Sequence, residues 1–334
     1  MDQSTQIGIV GAGAWGTALA TVAARNGHSV AIWDPDHEII EMINREHRHP
    51  RALEGVALDK KIVGKESVEE AARAPLVLMA VPAQSMRSAM GTLTPYVRPG
   101  TILVICDKGI EIETGALMSE IVTTHAPQTT VAALSGPTFA DEVAHGLPTA
   151  VTVATNEVTA GEKIVRALGS KGFRPYLSDD LVGTQVGGAV KNVLAIACGI
   201  THGLALGDNS RSAVITRGIV EIGRLSLVLG GKSETLMGLS GIGDLVLTCT
   251  SEQSRNYSFG RYLGSGHTLE NVPGRSSTTI EGVATAASVT NLSSRHGLEM
   301  PISDAVNSVL HHGADVRDAI AALLARPFRD ELTL

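Results

Sequence analysis

The chain has 334 residues, 43% of them hydrophobic and 18% charged, and a formal net charge of −7. That length allows two domains with cores of their own. Aromatic residues make up only 3%, too few for a base-stacking platform, and the acidic balance gives no basic footprint for nucleic acid or an anionic membrane. An anionic small substrate would therefore need a local cationic pocket.

The start, MDQSTQ, is acidic and polar and lacks the basic opening of a signal peptide. Ile7, Ile9 and Val10 then make a short apolar strand, and Gly11, Gly13 and Gly16 fit G-x-G-x-x-G. Residues 17–25 are rich in Ala and Leu and read as a helix. Asn26-Gly27 ends it, and HSVAIWD is the next strand. This order suits a dinucleotide. Gly11 permits the tight turn, Gly13 lets a pyrophosphate approach the backbone, and Gly16 lets helix and strand pack closely. Asp34 ends the second strand, about 20 residues on, where an acid accepts hydrogen bonds from the adenosine ribose and repels a 2′-phosphate. Beside it stand Pro35 and Asp36, with no Arg or Lys, so NAD is expected over NADP. The competing role for Asp34 is a cap on the following helix.

Further strands follow at βα spacing. LVLMAVPA (76–83) and TILVICDKG (101–109) are continuous apolar runs, as buried parallel strands are. TVAALSGP (130–137) and TAVTVAT (149–155) come next. Ligands bind beyond the carboxyl ends of such strands, which draws attention to Pro82, Lys108 and Gly136-Pro137-Thr138.

From about residue 179 the pattern changes to helical periods. A long helix should hold Lys191 and Asn192 amid Gly187, Gly188, Ala189, Val190, Val193 and Leu194. A lysine buried there without a partner loses its proton or destabilises the fold, unless it snorkels to the surface. With Lys191 and His202 in it, the apolar stretch 187–206 is a poor membrane span and a good buried helix. Residues 212–231 form a second helix and 302–326 hold two more. His311 and His312 are adjacent and point to different helix faces, so no metal site is expected. REHRHP (45–50) reads as a polar loop. Cys106, Cys198 and Cys249 show neither disulfide nor metal spacing, which suits small buried side chains and a cytoplasmic home. The segment GIGDLVLTCTSEQSRN (241–256) carries an acid near one end, Asp244, and Ser254-Arg255-Asn256 at the other.

Five ordered blocks now stand out: GAGAWGTALA, SGPTFADEVAHGLPTA, GGAVKNVLAIACGI, SRSAVITRG and GIGDLVLTCTSEQSRNYSFG. Across essentially its whole length the chain resembles the bacterial-type NAD(P)-dependent sn-glycerol-3-phosphate dehydrogenases. The resemblance implies an α/β N-terminal Rossmann-type domain over 1–182, binding the dinucleotide, and an all-α C-terminal domain over 183–334, holding substrate and catalysis. It implies reversible hydride transfer between dihydroxyacetone phosphate and sn-glycerol 3-phosphate, which supplies phospholipid synthesis. The proton acceptor falls on Lys191, with Lys108 and Asp244 beside it in the catalytic set. The substrate positions fall on Lys108, Gly136, Thr138, Lys191, Asn192, Asp244, Thr248, Ser254, Arg255 and Asn256. The cofactor positions fall on Gly11, Gly13, Ala14, Trp15, Gly16, Asp34, Pro82, Lys108, Ala140, Arg255, Thr279 and Glu281.

The chain departs from that pattern at Cys106-Asp107, where the family usually has Ala-Thr or Ala-Ser before the lysine, and at DPDH (34–37), where many members carry an arginine. The second departure weighs against NADP, although NADP remains possible. A small phosphorylated three-carbon substrate is the implied partner, with a homodimer left open. A hydroxyacid or 6-phosphogluconate-type dehydrogenase shares the same plan and the lysine. A non-catalytic NAD-binding regulator would have no use for Lys108, Lys191, Asp244 and Arg255 together.

Overall fold

The structure is a computed structural model and describes residues 5–272 and 280–327. The chain divides into two compact units, Met1–Asp107 with Met118–Leu181, and Lys108–Leu117 with Val182–Leu334. The chain passes between them at 107/108, 117/118 and 181/182. What the linear reading lacks is the excursion Lys108–Leu117, which packs with the second unit.

The first unit is an eight-stranded sheet with helices. In chain order it runs β1 (Gln6–Val10), α1 (Ala14–Arg25), β2 (Ser29–Trp33), α2 (His37–Glu46), β3 (Ile62–Gly64), α3 (Val68–Ala72), β4 (Leu76–Met79), α4 (Met86–Leu93) and β5 (Ile102–Ile105). Then follow α5 (Met118–His125), β6 (Thr130–Ser135), α6 (Ala140–His145), β7 (Thr149–Ala154), α7 (Val158–Leu168) and β8 (Phe173–Ser178). The spatial order is β3-β2-β1-β4-β5-β6-β7-β8. Neighbours from β3 to β6 pair in parallel, which is the doubly wound dinucleotide order with its switch point between β1 and β4. β7 runs antiparallel to β6, and β8 pairs parallel to β7. The apolar runs in β1, β4 and β5 are buried on both faces, as expected where helices cover a parallel sheet. β8 reads FRPYLS, carries Pro175, and leaves Tyr176 and Leu177 exposed. It is an edge strand, where a proline is tolerated.

The second unit is helical: α8 (Leu181–Gly203), α9 (Gly207–Val228), α10 (Asp244–Thr250), α11 (Arg255–Gly264), α12 (Glu281–Arg295), α13 (Pro301–His311) and α14 (Val316–Leu324). α8 is the spine. Every residue from Gly183 to Thr201 is buried. Among the described residues it is the one helix long and apolar enough to cross a membrane, and 89% of its most apolar window is buried inside the protein, as in a core helix. The excursion joins this core through Ile110 and Leu117. Ser288 donates to the Ile110 carbonyl at 2.8 Å and Arg295 to the Thr114 carbonyl at 2.6 Å, so α12 holds the excursion at two points.

One buried acid outside the site organises this unit. Glu221 on α9 accepts from the backbone N–H of Ile302 (2.7 Å) and Ser303 (3.1 Å) and from the Ser303 hydroxyl (2.9 Å). It thereby caps the first turn of α13 from a neighbouring helix. Burial pushes its carboxyl up to about 7, against those donors, which pull it down. Glu221→Ala orphans three donors and should cost about 2–4 kcal/mol in urea unfolding. The sign with pH follows from the raised value. Between 4.5 and about 7 the native state holds the extra proton, so wild-type stability falls as pH rises through that window. Glu221→Gln should lose that slope.

Candidate active site

In the first unit, the backbone after β1 is shaped for a phosphate. Gly11 has φ +100°, and a Cβ there would lie 2.6 Å from the Ala80 carbonyl oxygen. A Cβ on Gly16 would lie 1.9 Å from the Gly11 oxygen, so only glycine lets α1 start so close to the turn. Gly13 is different: a Cβ built on it meets nothing within 4 Å. The space over it is open where a pyrophosphate would sit. Gly13 is also the N-cap of α1, with no side-chain cap and no acid in the first turn, so the helix end is left to an anion. Ala14 and Trp15 open that helix, and the Trp15 indole donates to the Cys106 carbonyl at 3.0 Å.

Asp34 does not cap α2. That task belongs to Asp36, which accepts from the Glu38 N–H. Asp34 instead accepts from the Ala12 N–H at 2.7 Å and the Asp36 N–H at 2.9 Å, tying the end of β2 to the glycine turn. Pro82 follows β4. Gly136, with φ +146°, turns the chain after β6; Thr138 donates to its carbonyl at 3.3 Å, and Ala140 opens α6. These residues fit a dinucleotide.

The second unit holds a charged cluster in an apolar setting. Lys191, in the middle of α8, is 5% exposed and Asp244 is fully buried. Asp244 Oδ1 lies 2.5 Å from Lys191 Nζ and Oδ2 lies 2.6 Å from Lys108 Nζ. One carboxylate thus serves two ammonium groups. Lys191 also donates to Thr248 Oγ1 at 2.7 Å, and that hydroxyl donates to Asp244 at 3.2 Å. Asp244 and Thr248 are one turn apart on α10 and share a face. Asp244 opens α10, where the helix dipole favours its negative charge. Burial lowers the Lys191 pKa to about 8; Asp244 opposes that shift and the Lys108 charge reinforces it. Lys191 is thereby poised to exchange a proton near neutral pH.

A chain of amides surrounds the cluster. Asn192 donates to the Lys108 carbonyl at 3.3 Å and accepts from Asn256 at 3.0 Å, and Asn256 in turn accepts from the Gly282 N–H at 2.9 Å. Ser254 caps α11 by accepting from the Tyr257 N–H. Arg255 and Asn256 occupy the first turn of that helix, with the Arg255 side chain exposed. Glu281 opens α12. Thr279 lies outside the described residues. Lys108, Lys191, Asn192, Asp244, Thr248 and Asn256 are therefore drawn into one connected set, and Ser254 and Arg255 adjoin it on α11. Two further residues emerge only from the fold: His49, whose ring meets the Ala12 carbonyl, and Arg51, whose guanidinium pairs with Asp36. REHRHP reads as a polar loop, but Arg45 and Glu46 are the last residues of α2, and only the part after them is loop, whose return nothing in the spacing indicates.

The model of the NAD-dependent glycerol-3-phosphate dehydrogenase N-terminus matches residues 6–160, and that of the C-terminus of the same family matches 180–321. The chain belongs to this family. Its relatives agree. A glycerol-3-phosphate dehydrogenase [NAD(P)+] of Parvibaculum lavamentivorans is 50% identical over 326 residues, covering 98% of both chains. One of Rhodospirillum rubrum is 50% identical over 326 residues, covering 97% of this chain and 93% of that one. The crystal structure of glycerol-3-phosphate dehydrogenase from Coxiella burnetii superposes with a TM-score of 0.93 at 38% identity, covering 97% of this chain and 99% of that one. As a family member the chain has the Rossmann-like sheet unit and the helical unit described above, and an NAD(P) cofactor goes with the family.

Proposed function

We propose that this chain is an NAD(P)-dependent sn-glycerol-3-phosphate dehydrogenase that prefers NAD. It interconverts dihydroxyacetone phosphate and sn-glycerol 3-phosphate, the backbone precursor of phospholipids. Family membership supports the reaction, and the buried Lys191–Asp244–Lys108 cluster carries the assignment of its machinery. The three cysteines are free and buried, which suits a reducing compartment, and we assign the enzyme to the cytoplasm.

Gly11, Gly13 and Gly16, the start of α1 with Ala14 and Trp15, Asp34, Pro82 and Ala140 would hold the dinucleotide, and family resemblance adds Lys108, Arg255, Thr279 and Glu281 to the cofactor positions. When bound, its nicotinamide supplies or takes the hydride. In the reducing direction the Lys191 ammonium donates a proton to the oxygen on which charge develops. In the oxidising direction the neutral amine takes the hydroxyl proton. Asp244 and Thr248 hold that nitrogen in one place, so little reorganisation accompanies transfer. Asp244 is on this account a positioning residue. Lys108 adds positive potential beside the reacting oxygen. Arg255 and the first-turn N–H groups of α11 suit a phosphate, with Ser254 holding the helix end and Asn192 and Asn256 aligning α8 with α11. Family resemblance adds Gly136 and Thr138 to the substrate positions.

The test is oxidation of NADH followed in absorbance with dihydroxyacetone phosphate, repeated with NADPH. Turnover with both the ketone and NADH is expected, with kcat/KM higher for NADH because Asp34, Asp36 and Glu38 place carboxylates near the adenosine ribose. A higher kcat/KM with NADPH refutes the preference, and no turnover with this ketone refutes the assignment.

A further inference from the structure

The loop after α2 closes a ring of contacts at the adenosine end of the glycine turn. Asp34 Oδ2 accepts the Ala12 N–H at 2.7 Å. The Ala12 carbonyl meets His49 Nε2 at 3.0 Å. His49 Nδ1 accepts the Arg51 N–H at 3.1 Å. The Arg51 guanidinium pairs with Asp36, and the Asp36 N–H returns to Asp34 Oδ1 at 2.9 Å. His49 is a buried link, with one ring nitrogen donating and the other accepting, which is the neutral imidazole. Burial lowers its pKa and keeps it so. The ring therefore pins the Arg51 backbone to the turn that would carry the dinucleotide.

The side chain of Arg51 is different. It is about half exposed, bonded to Asp36 and 3.4 Å from Glu38, and its charge reaches Asp34. A guanidinium is a fork that exchanges one oxyanion for another without losing charge-assisted bonds. A 2′-phosphate arriving beside Asp34 would find this fork within the same ring, on a surface whose other charged groups in that ring are acids. The missing arginine after β2 is thus supplied from a loop distant in sequence.

We infer that Arg51 is the cofactor-specificity residue: it leaves Asp36 to bind the 2′-phosphate of NADP(H), and the Asp36–Arg51 pair sets how far NAD is preferred. The inference rests on the reading that Asp34 faces the adenosine ribose, and the two are separable by experiment.

The experiment is equilibrium binding of NADH and NADPH to the full chain without substrate, read by nucleotide fluorescence. Arg51→Ala should weaken NADPH binding roughly tenfold and leave NADH within about twofold, since one charge-assisted contact is lost only for the phosphate. Arg51→Lys should recover part of the loss, and added salt should weaken NADPH more than NADH in wild type but not in Arg51→Ala. Asp36→Asn frees the guanidinium and should tighten NADPH several-fold. Equal effects of Arg51→Ala on both cofactors, no effect on either, or no NADPH binding by wild type overturns the inference. Asp34→Ala tests the underlying reading: unchanged NADH affinity there removes the ribose contact itself, whatever Arg51 does.

Discussion

Replacing Lys191 with alanine should lower kcat by about 10²–10⁴ while NADH binding stays within about twofold, because the loss falls on proton transfer and not on the dinucleotide. The fold should survive. Asp244 keeps Lys108 at 2.6 Å, so removing Lys191 leaves no carboxylate unpaired. Lys191 also carries a pH-dependent burden. Its pKa falls from 10.5 to about 8 on folding, mainly by desolvation. Between those values the unfolded chain binds more protons, so wild-type stability rises with pH there and the penalty is fully present below about 8. Lys191→Met, which keeps the aliphatic stem, should therefore melt at or above the wild-type temperature at neutral pH while remaining inactive. In the wild type the two reaction directions should have opposed profiles. Ketone reduction needs the ammonium and should decline above about 8, and alcohol oxidation needs the amine and should rise through about 8. Near-normal turnover in either Lys191 variant, or profiles that move together, would remove Lys191 from the mechanism.

Asp244→Asn should be worse for the fold. It keeps the shape but leaves two ammonium groups facing a neutral amide in a fully buried position. Breaking a buried pair in this way costs about 3–5 kcal/mol. The companion change Lys108→Met removes one of the stranded cations, so the double variant should be more stable than the single one. Kinetically, the Lys191 ammonium loses its counter-ion, its pKa falls further, and the oxidation limb should move to lower pH. The reduction kcat should fall by about 10²–10³, as for loss of a preorganising group. Chemical denaturation of the single and double variants checks the first statement, and pH profiles of kcat/KM check the second. An unmoved limb would leave Asp244 a purely structural residue.

Local signals carry much of this. The glycine turn, its flanking strand and helix, and the apolar runs of β4 to β7 are legible because period and turn chemistry act over a few residues. Lys191 is conspicuous because a cation stands in a helix apolar on all sides. Where local signals are weak the elements are silent. β3 has only three residues, and β8 is an exposed edge with a proline. α11 and α12 are helices built from polar or small residues, with few apolar ones to set a period. Within 241–256 the apolar middle is helix α10, and Arg255 opens the next helix. The antiparallel turn of β7 against β6 leaves no local mark, since either direction buries the same residues.

Read linearly, the chain shows two kinds of architecture and the glycine turn followed by Asp34, and its family resemblance points to the side chains proposed for the reaction. Those are properties of residue type and short spacing. Which charges meet is settled by packing in three dimensions. Asp244 finds Lys191 across 53 positions and Lys108 across 136, and Lys108 reaches it because the excursion 108–117 packs with the helical unit. Whether Lys191 is held as an ammonium or released as an amine depends on burial and on both neighbours at once. Arg51 carries no local signal, and the role proposed for it depends on His49 holding its backbone and on its pairing with Asp36. Coulombic attraction and desolvation depend on distance in space and on the dielectric around a group, and the order of residues along the chain encodes neither until the chain has packed.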